Sequence, residues 1–250
     1  MSGHSKWANI KHRKSAQDAK RGKAFQKYIR AVMVASKTGG PDPSMNMSLK
    51  AAIERARGAN VPVDTIEKAV KKGSGDMDGA SYDEIMYEGY GNGGVAVLVE
   101  TLTDNKNRTA SEIRFLFSRS GGSLGEAGCV SWIFQRKGAI RVTGNGLDED
   151  QLMGICLDAG AEDLEDNGEG FTVTCDPAAM TEVRDQLTNA GYVIESTGLE
   201  MIPKTTVELK NRPEAEKLLK FLETLEEHDD VQNVYANFDI PDEIMEEIVG

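Results

Sequence analysis

Two hundred and fifty residues, 39% hydrophobic and 28% charged, are more than one core ordinarily needs and point to two or three globular domains. The formal net charge is −12, yet residues 1–37 hold ten Lys or Arg against one Asp (+9), while residues 74–250 hold 13 bases against 36 acids (−23). The longest apolar run, Val95–Val99, is too short for a membrane helix, and the start lacks the apolar stretch of a secretory signal, so a cytoplasmic protein without membrane contact is expected.

The basic head reads GHSKWANIKHRKSAQDAKRGKAFQKYIR from Gly3 to Arg30. From about Ser15 to Ser36, Phe25, Ile29 and Val32, with Tyr28 and Met33 beside them, recur at steps of four and three, the period of a helix with one buried face. Each residue turns a helix by about 100°, so Lys20, Lys23, Lys27 and Arg30 fall on the opposite side. The cations continue backwards through Lys14, Arg13, Lys11 and Lys6, with Trp7 among them and His12 and Arg21 in the same stretch. Charges of one sign repel rather than pair along a helix. A row of them beside an aromatic ring suits a nucleic acid, phosphates meeting the cations and a base or sugar stacking on Trp7. The competing readings are a solvated helix face and docking onto the chain's own acidic body.

Gly39-Gly40-Pro41 ends the first helix. A second is expected from Ser44 or Asn46 to Arg57, burying Leu49, Ala52, Ile53 and Ala56, with Gly58 and Asn60 as its stop. Pro62 opens a third, with Ile66, Ala69 and Val70 inward, ending at Gly73. Residues 1–75 thus form a basic helical domain, and GSGDMDG over residues 73–79 reads as a linker.

Beyond it the period changes to that of strands. Ile85–Tyr90 and Val95–Thr103 are expected to form a hairpin through Gly91-Asn92-Gly93-Gly94. A helix follows over Asn107–Ser120, closed by Gly121-Gly122, and Val130–Phe134 reads as the next strand. After Arg136-Lys137-Gly138 comes a run of strand 139–142, helix 148–159, strands 161–164 and 171–175, helix 176–190 and strand 192–196, the βαββαβ order of ferredoxin-like folds. Strand 205–209, helix 213–227 and strand 231–238 then pair with residues 95–134 as a second such set, and 241–250 is a short acidic helix. The expected fold class is α+β and multidomain. A three-helix domain precedes two ferredoxin-like α/β domains, one of residues 80–135 plus 204–240 and the other, 136–203, inserted within it.

Catalytic chemistry finds no foothold. Cys129, Cys156 and Cys175 are odd in number and never in a CxxC, and His4, His12 and His228 have no ligand spacing, so packed reduced thiols and no metal are expected. Gly89–Gly94 matches GxGxxG, but it joins two strands, whereas a dinucleotide fingerprint must open a helix. There is no GxxxxGK[ST], GxSxG or HExxH, and among Glu84, Glu88, Glu100 and Asp104 no spacing singles out an acid–base pair. No cofactor or small-molecule substrate is expected, and the chain reads as a non-enzyme. In Asp104–Thr109, Asn105, Lys106, Asn107 and Arg108 either cap the following helix or make a secondary contact with phosphate or ribose.

The blocks GHSKWANIKHRK, AQDAKRGK, NVPVDTIEKAVKKG, YEGYG and TDNKNRT make the chain similar, over essentially its whole length, to the YebC family. That resemblance implies three domains, the first helical and the other two α/β, with the basic N-terminal block on residues 3–30. Family members are usually labelled probable transcriptional regulators that bind DNA. Some are described as ribosome-associated factors that help translation through proline runs, and mitochondrial relatives are translational activators. Asn92 stands where many relatives carry Pro, so the turn here lacks that ring's rigidity. The expected function is a nucleic-acid-binding regulator of gene expression, acting on DNA or, alternatively, on rRNA or tRNA at the ribosome.

Overall fold

In the computed structural model of the chain, residues 18–75, 82–144, 147–166 and 170–249 are described, the side chains of 18–24, 242, 246 and 249 excepted. The class is α+β, three helices followed by sheet-containing units. Helices α1 (Asp18–Gly39), α2 (Met47–Gly58) and α3 (Val63–Ser74) bury Val32, Leu49, Ala52, Ala56, Ile66 and Ala69 between them. A Cβ on Gly73 would lie 2.3 Å from the Met33 carbonyl oxygen, so only glycine lets α3 cross α1 this closely. Asn46 joins two helices. Its Oδ1 accepts from the Leu49 N–H at 3.0 Å, capping α2, while its Nδ2 donates to the Ala35 and Gly40 carbonyls at the end of α1.

The first sheet has the order β3-β1-β2-β9 and is antiparallel throughout. Its strands are β1 (Asp83–Tyr90), β2 (Ala96–Thr103), β3 (Ser123–Leu124) and β9 (Val231–Ala236). The β1–β2 hairpin forms as expected, with Gly93 and Gly94 at φ 72° and 77°, left-handed conformations that favour glycine. Helices α4 (Lys106–Arg119) and α7 (Arg212–Glu226) cover one face, burying Ile113, Phe117, Leu218 and Leu222 against Val97 and Val99. Helix α8 (Asp242–Val249) adds Met245 to the same core.

Two expected strands differ in the structure. Val130–Phe134 is not a strand: Ser131–Ile133 is a single 3₁₀ turn, and the strand after α4 is Ser123–Leu124. Val130, Ile133 and Phe134 are buried at steps of three and one, a helical spacing, and the Glu88 carboxylate takes the N–H groups that a ladder would have used. Thr205–Leu209 contributes only β8 (Val207–Glu208), which pairs in parallel with β10 (Phe238–Asp239) outside the main sheet. The unit therefore starts with a hairpin and lacks the expected ferredoxin-like strand order.

That order belongs to the other sheet, β5-β6-β4-β7, formed by β4 (Phe134–Thr143), β5 (Ala161–Asp166), β6 (Gly170–Cys175) and β7 (Val193–Pro203). Helices α5 (Glu149–Asp158) and α6 (Met180–Asn189) pack Leu152, Val183 and Leu187 onto it. Strands β4 and β7 pair from Phe134↔Pro203 to Thr143↔Val193 and carry the chain in and out side by side. Arg136-Lys137-Gly138, read from the sequence as a break, lies within β4; Gly138 is there because a Cβ would press to 3.0 Å on Cys175 Sγ and Met180.

Candidate nucleic-acid interface

Of the predicted contact residues, Lys6, Trp7, Lys11, His12, Arg13 and Lys14 lie outside the described residues, and Lys20, Arg21 and Lys23 stand in the first turns of α1 with side chains outside the description. The later members of the row meet the body. Lys27 Nζ donates to the Glu226 carbonyl at the end of α7. Arg30 Nη1 donates to the carbonyls of Leu102 (3.1 Å) and Asp229 (3.2 Å) and to Asp230 Oδ1 (2.8 Å), and its guanidinium lies 5.4 Å from the Tyr82 ring centroid.

Asp230 is the centre of this junction and is 3% exposed. Its Oδ2 accepts from Arg108 Nη2 at 2.8 Å, from the Thr109 hydroxyl at 2.7 Å and from the Thr103 hydroxyl at 3.1 Å. Burial alone would raise the carboxyl's pKa, but hydrogen bonds from Arg108, Thr109, Arg30 and Thr103 outweigh it and hold the group down at about 2. His228 adds a brace, its Nδ1 accepting from the Asp230 N–H at 3.1 Å and its Nε2 lying 2.8 Å from Glu112 Oε2.

The second predicted cluster splits along the same lines. Asn105 caps α4, its Oδ1 accepting from the Arg108 N–H at 3.1 Å. Lys106 pairs with Asp83 at 3.1 Å, and the Asn107 carbonyl accepts the Ser111 hydroxyl. Arg108 bridges Asp104 and Asp230. The tertiary structure thus brings Arg30 and Arg108 onto one carboxylate, a pairing that nothing in their sequence neighbourhoods announces.

Two carboxylates escaped sequence reasoning as structural centres. Asp230 is one acid among 36 in the body. Glu88, 6% exposed, accepts the N–H groups of Gly128 (2.7 Å), Val130 and Ser131 (both 2.8 Å). Its burial pushes the pKa up, and those backbone donors more than reverse the push. The thiols go the other way. Burial raises Cys129 and Cys175 and takes Cys156 to about 11, so all three stay protonated near neutrality. Among the described residues no three His, Cys, Asp or Glu side chains are grouped to hold a metal ion, and no helix is long and apolar enough to cross a membrane.

Residues 5–76 match the model of the TACO1/YebC N-terminal domain, and residues 82–238 match that of the TACO1/YebC second and third domain. A probable transcriptional regulatory protein of Dictyoglomus turgidum is 53% identical over 99% of this chain and all of its own length, and one of Geobacter sulfurreducens is 52% identical over the full length of both. The crystal structure of a conserved hypothetical protein from Aquifex aeolicus superposes with a TM-score of 0.82 at 45% identity, covering 91% of this chain and 94% of that one. On two domain matches and half-identical relatives of full length, the chain belongs to the TACO1/YebC family.

Proposed function

We propose that the chain is a non-enzymatic, nucleic-acid-binding regulator of gene expression that grips phosphates through Lys6, Lys11, Arg13, Lys14, Lys20, Arg21 and Lys23, with Trp7 as a stacking partner. The observation that carries this reading is charge segregation: +9 in residues 1–37 against −23 in residues 74–250. A polyanion is drawn to the first and repelled by the bulk of the second, so contact is centred on the basic end of the molecule. Lys27 and Arg30 are left out of the proposed contact set because Lys27 Nζ and Arg30 Nη1 donate to body carbonyls and Asp230; they serve as the anchor at the base of the cationic row.

Affinity for duplex and single-stranded probes, measured as a function of salt, tests the proposal. The log–log slope should be about −0.9 per neutralised phosphate for duplex DNA or about −0.7 for single strands. Replacing the seven cations by Gln should flatten it. A slope unchanged by those substitutions overturns the assignment.

The same charge pattern also fits a ribosome-associated factor binding rRNA or tRNA and relieving stalls at sequences such as proline runs, with the acidic body repelled from the surrounding rRNA. Sedimentation with ribosomes separates the two readings. Co-migration lost on deleting residues 1–30 assigns the protein to translation, and a discrete promoter footprint without co-migration assigns it to transcription.

A further inference from the structure

The loop between β3 and β4 holds Trp132 at 66% exposure beside Tyr90 at 38%. Both rings are tied by their polar edges to one acceptor: the Cys129 carbonyl takes the Trp132 Nε1–H at 3.0 Å and the Tyr90 hydroxyl at 3.3 Å. The loop beneath is stiff. Glu88 clamps the N–H groups of Gly128, Val130 and Ser131, Val130 and Ile133 are buried, and Lys204 donates from Nζ to the Trp132 carbonyl (3.2 Å) and from its backbone to that of Ile133 (2.8 Å). Two large rings are thus immobilised at the surface with their polar edges satisfied. An exposed Trp held this firmly contributes little to the core, and its ring suits stacking on another flat group.

The charge around the rings names the kind of group. In sequence, residues 119–138 carry Arg119, Arg136 and Lys137 against Glu126, and Lys137 is paired with Glu162. Arg119, Arg136 and Lys217 make no ion pair among the described residues. Lys217 lies beside Gly121, with its Nζ 2.9 Å from where a Cβ would be, and Gly122 packs against the Tyr90 carbonyl. Flat rings with Lys204 and Lys217 beside them match a nucleotide, base on ring and phosphate on cation. Bases free to stack on protein are the ordinary condition of RNA single strands and loops, whereas duplex DNA hides them.

We infer that Tyr90 and Trp132 form a stacking platform for unpaired bases of single-stranded RNA, with Lys204 and Lys217 meeting the adjoining phosphates. The inference rests on the proposed nucleic-acid function and adds a second contact, distant in sequence from the basic head.

The test uses the full chain and anisotropy of a labelled 12-nucleotide uridine oligomer, beside an abasic ribose-phosphate oligomer of equal length. Trp132→Ala should weaken uridine binding about tenfold and leave the salt slope unchanged, because stacking releases no counterions, and Trp132→Phe should retain most of the affinity. The abasic oligomer should bind the wild type and Trp132→Ala alike. Thermal unfolding of Trp132→Ala should match the wild type, as the ring is mostly exposed. Uridine binding undiminished in Trp132→Ala, or a loss that persists on the abasic oligomer, overturns the inference while a salt-dependent wild type keeps the broader function standing. A wild type that binds no nucleic acid at any salt overturns both. A Trp132 effect confined to deoxyuridine oligomers, or to self-association in sedimentation, assigns the platform to DNA or to a second copy and overturns it equally.

Discussion

The two α/β units are made of similar parts, four antiparallel strands with two helices on one face, yet they are closed by different means. The ferredoxin-like unit comes from one continuous stretch, and its interior is apolar: among its described residues the only buried polar side chain is Thr172. The other unit draws its sheet from both sides of that stretch and buries Glu88, Thr101, Thr103, Thr109, Asp230 and Asn237. Asn237 accepts from the Ala96 N–H at 2.7 Å and donates to the Thr205 carbonyl at 3.0 Å, and Asp230 gathers Thr103, Arg108 and Thr109 from the earlier segment with Arg30 from the helical domain. A continuous segment can find its register from hydrophobic pattern alone. Segments separated by an inserted domain are matched here by polar groups that are satisfied in one arrangement.

Three measurements break or sharpen that contrast. The largest effect is expected from Asp230→Ala, which removes the buried acceptor shared by Arg30, Arg108 and the Thr103 and Thr109 hydroxyls; chemical denaturation should show a loss of about 4 kcal/mol. Leu152→Ala, in the ferredoxin-like unit, should cost about 3 kcal/mol through lost burial and the cavity left behind. If Asp230→Ala costs less than Leu152→Ala, the polar junction is not what holds the discontinuous unit together. The smallest effect concerns acid. The folded Asp230 pKa of about 2 lies below the ordinary 3.8, so its stabilisation is present above pH 4 and fades as the pH falls towards 2. That stabilisation is about 2 kcal/mol, which urea unfolding at pH 6, 4 and 2.5 should show in the wild type, and Asp230→Asn should lack this component of the acid loss.

Much of the fold was legible because its signals are local. The stripe through Phe25, Ile29 and Val32, the helix start at Asp148, and the glycine turn at 91–94 each lie within one element, so neighbouring residues suffice to read them. The misread stretches had ambiguous local patterns. Val130–Phe134 is apolar enough for a strand, and its 3₁₀ turn is held by Glu88 from another strand. Arg136-Lys137-Gly138 looks like a break, and pairing with β7 makes it a strand.

The same division applies to the site. Sequence alone determined the separation of charge and the helical period of the head, since composition and periodicity are properties of the chain itself. Only the tertiary structure decided that Arg30 and Arg108 share Asp230, that Glu88 stiffens a loop far along the chain, and that Trp132 stands exposed beside Tyr90. A buried carboxylate acts through whichever donors surround it, and those donors come from segments that meet only when the chain has folded.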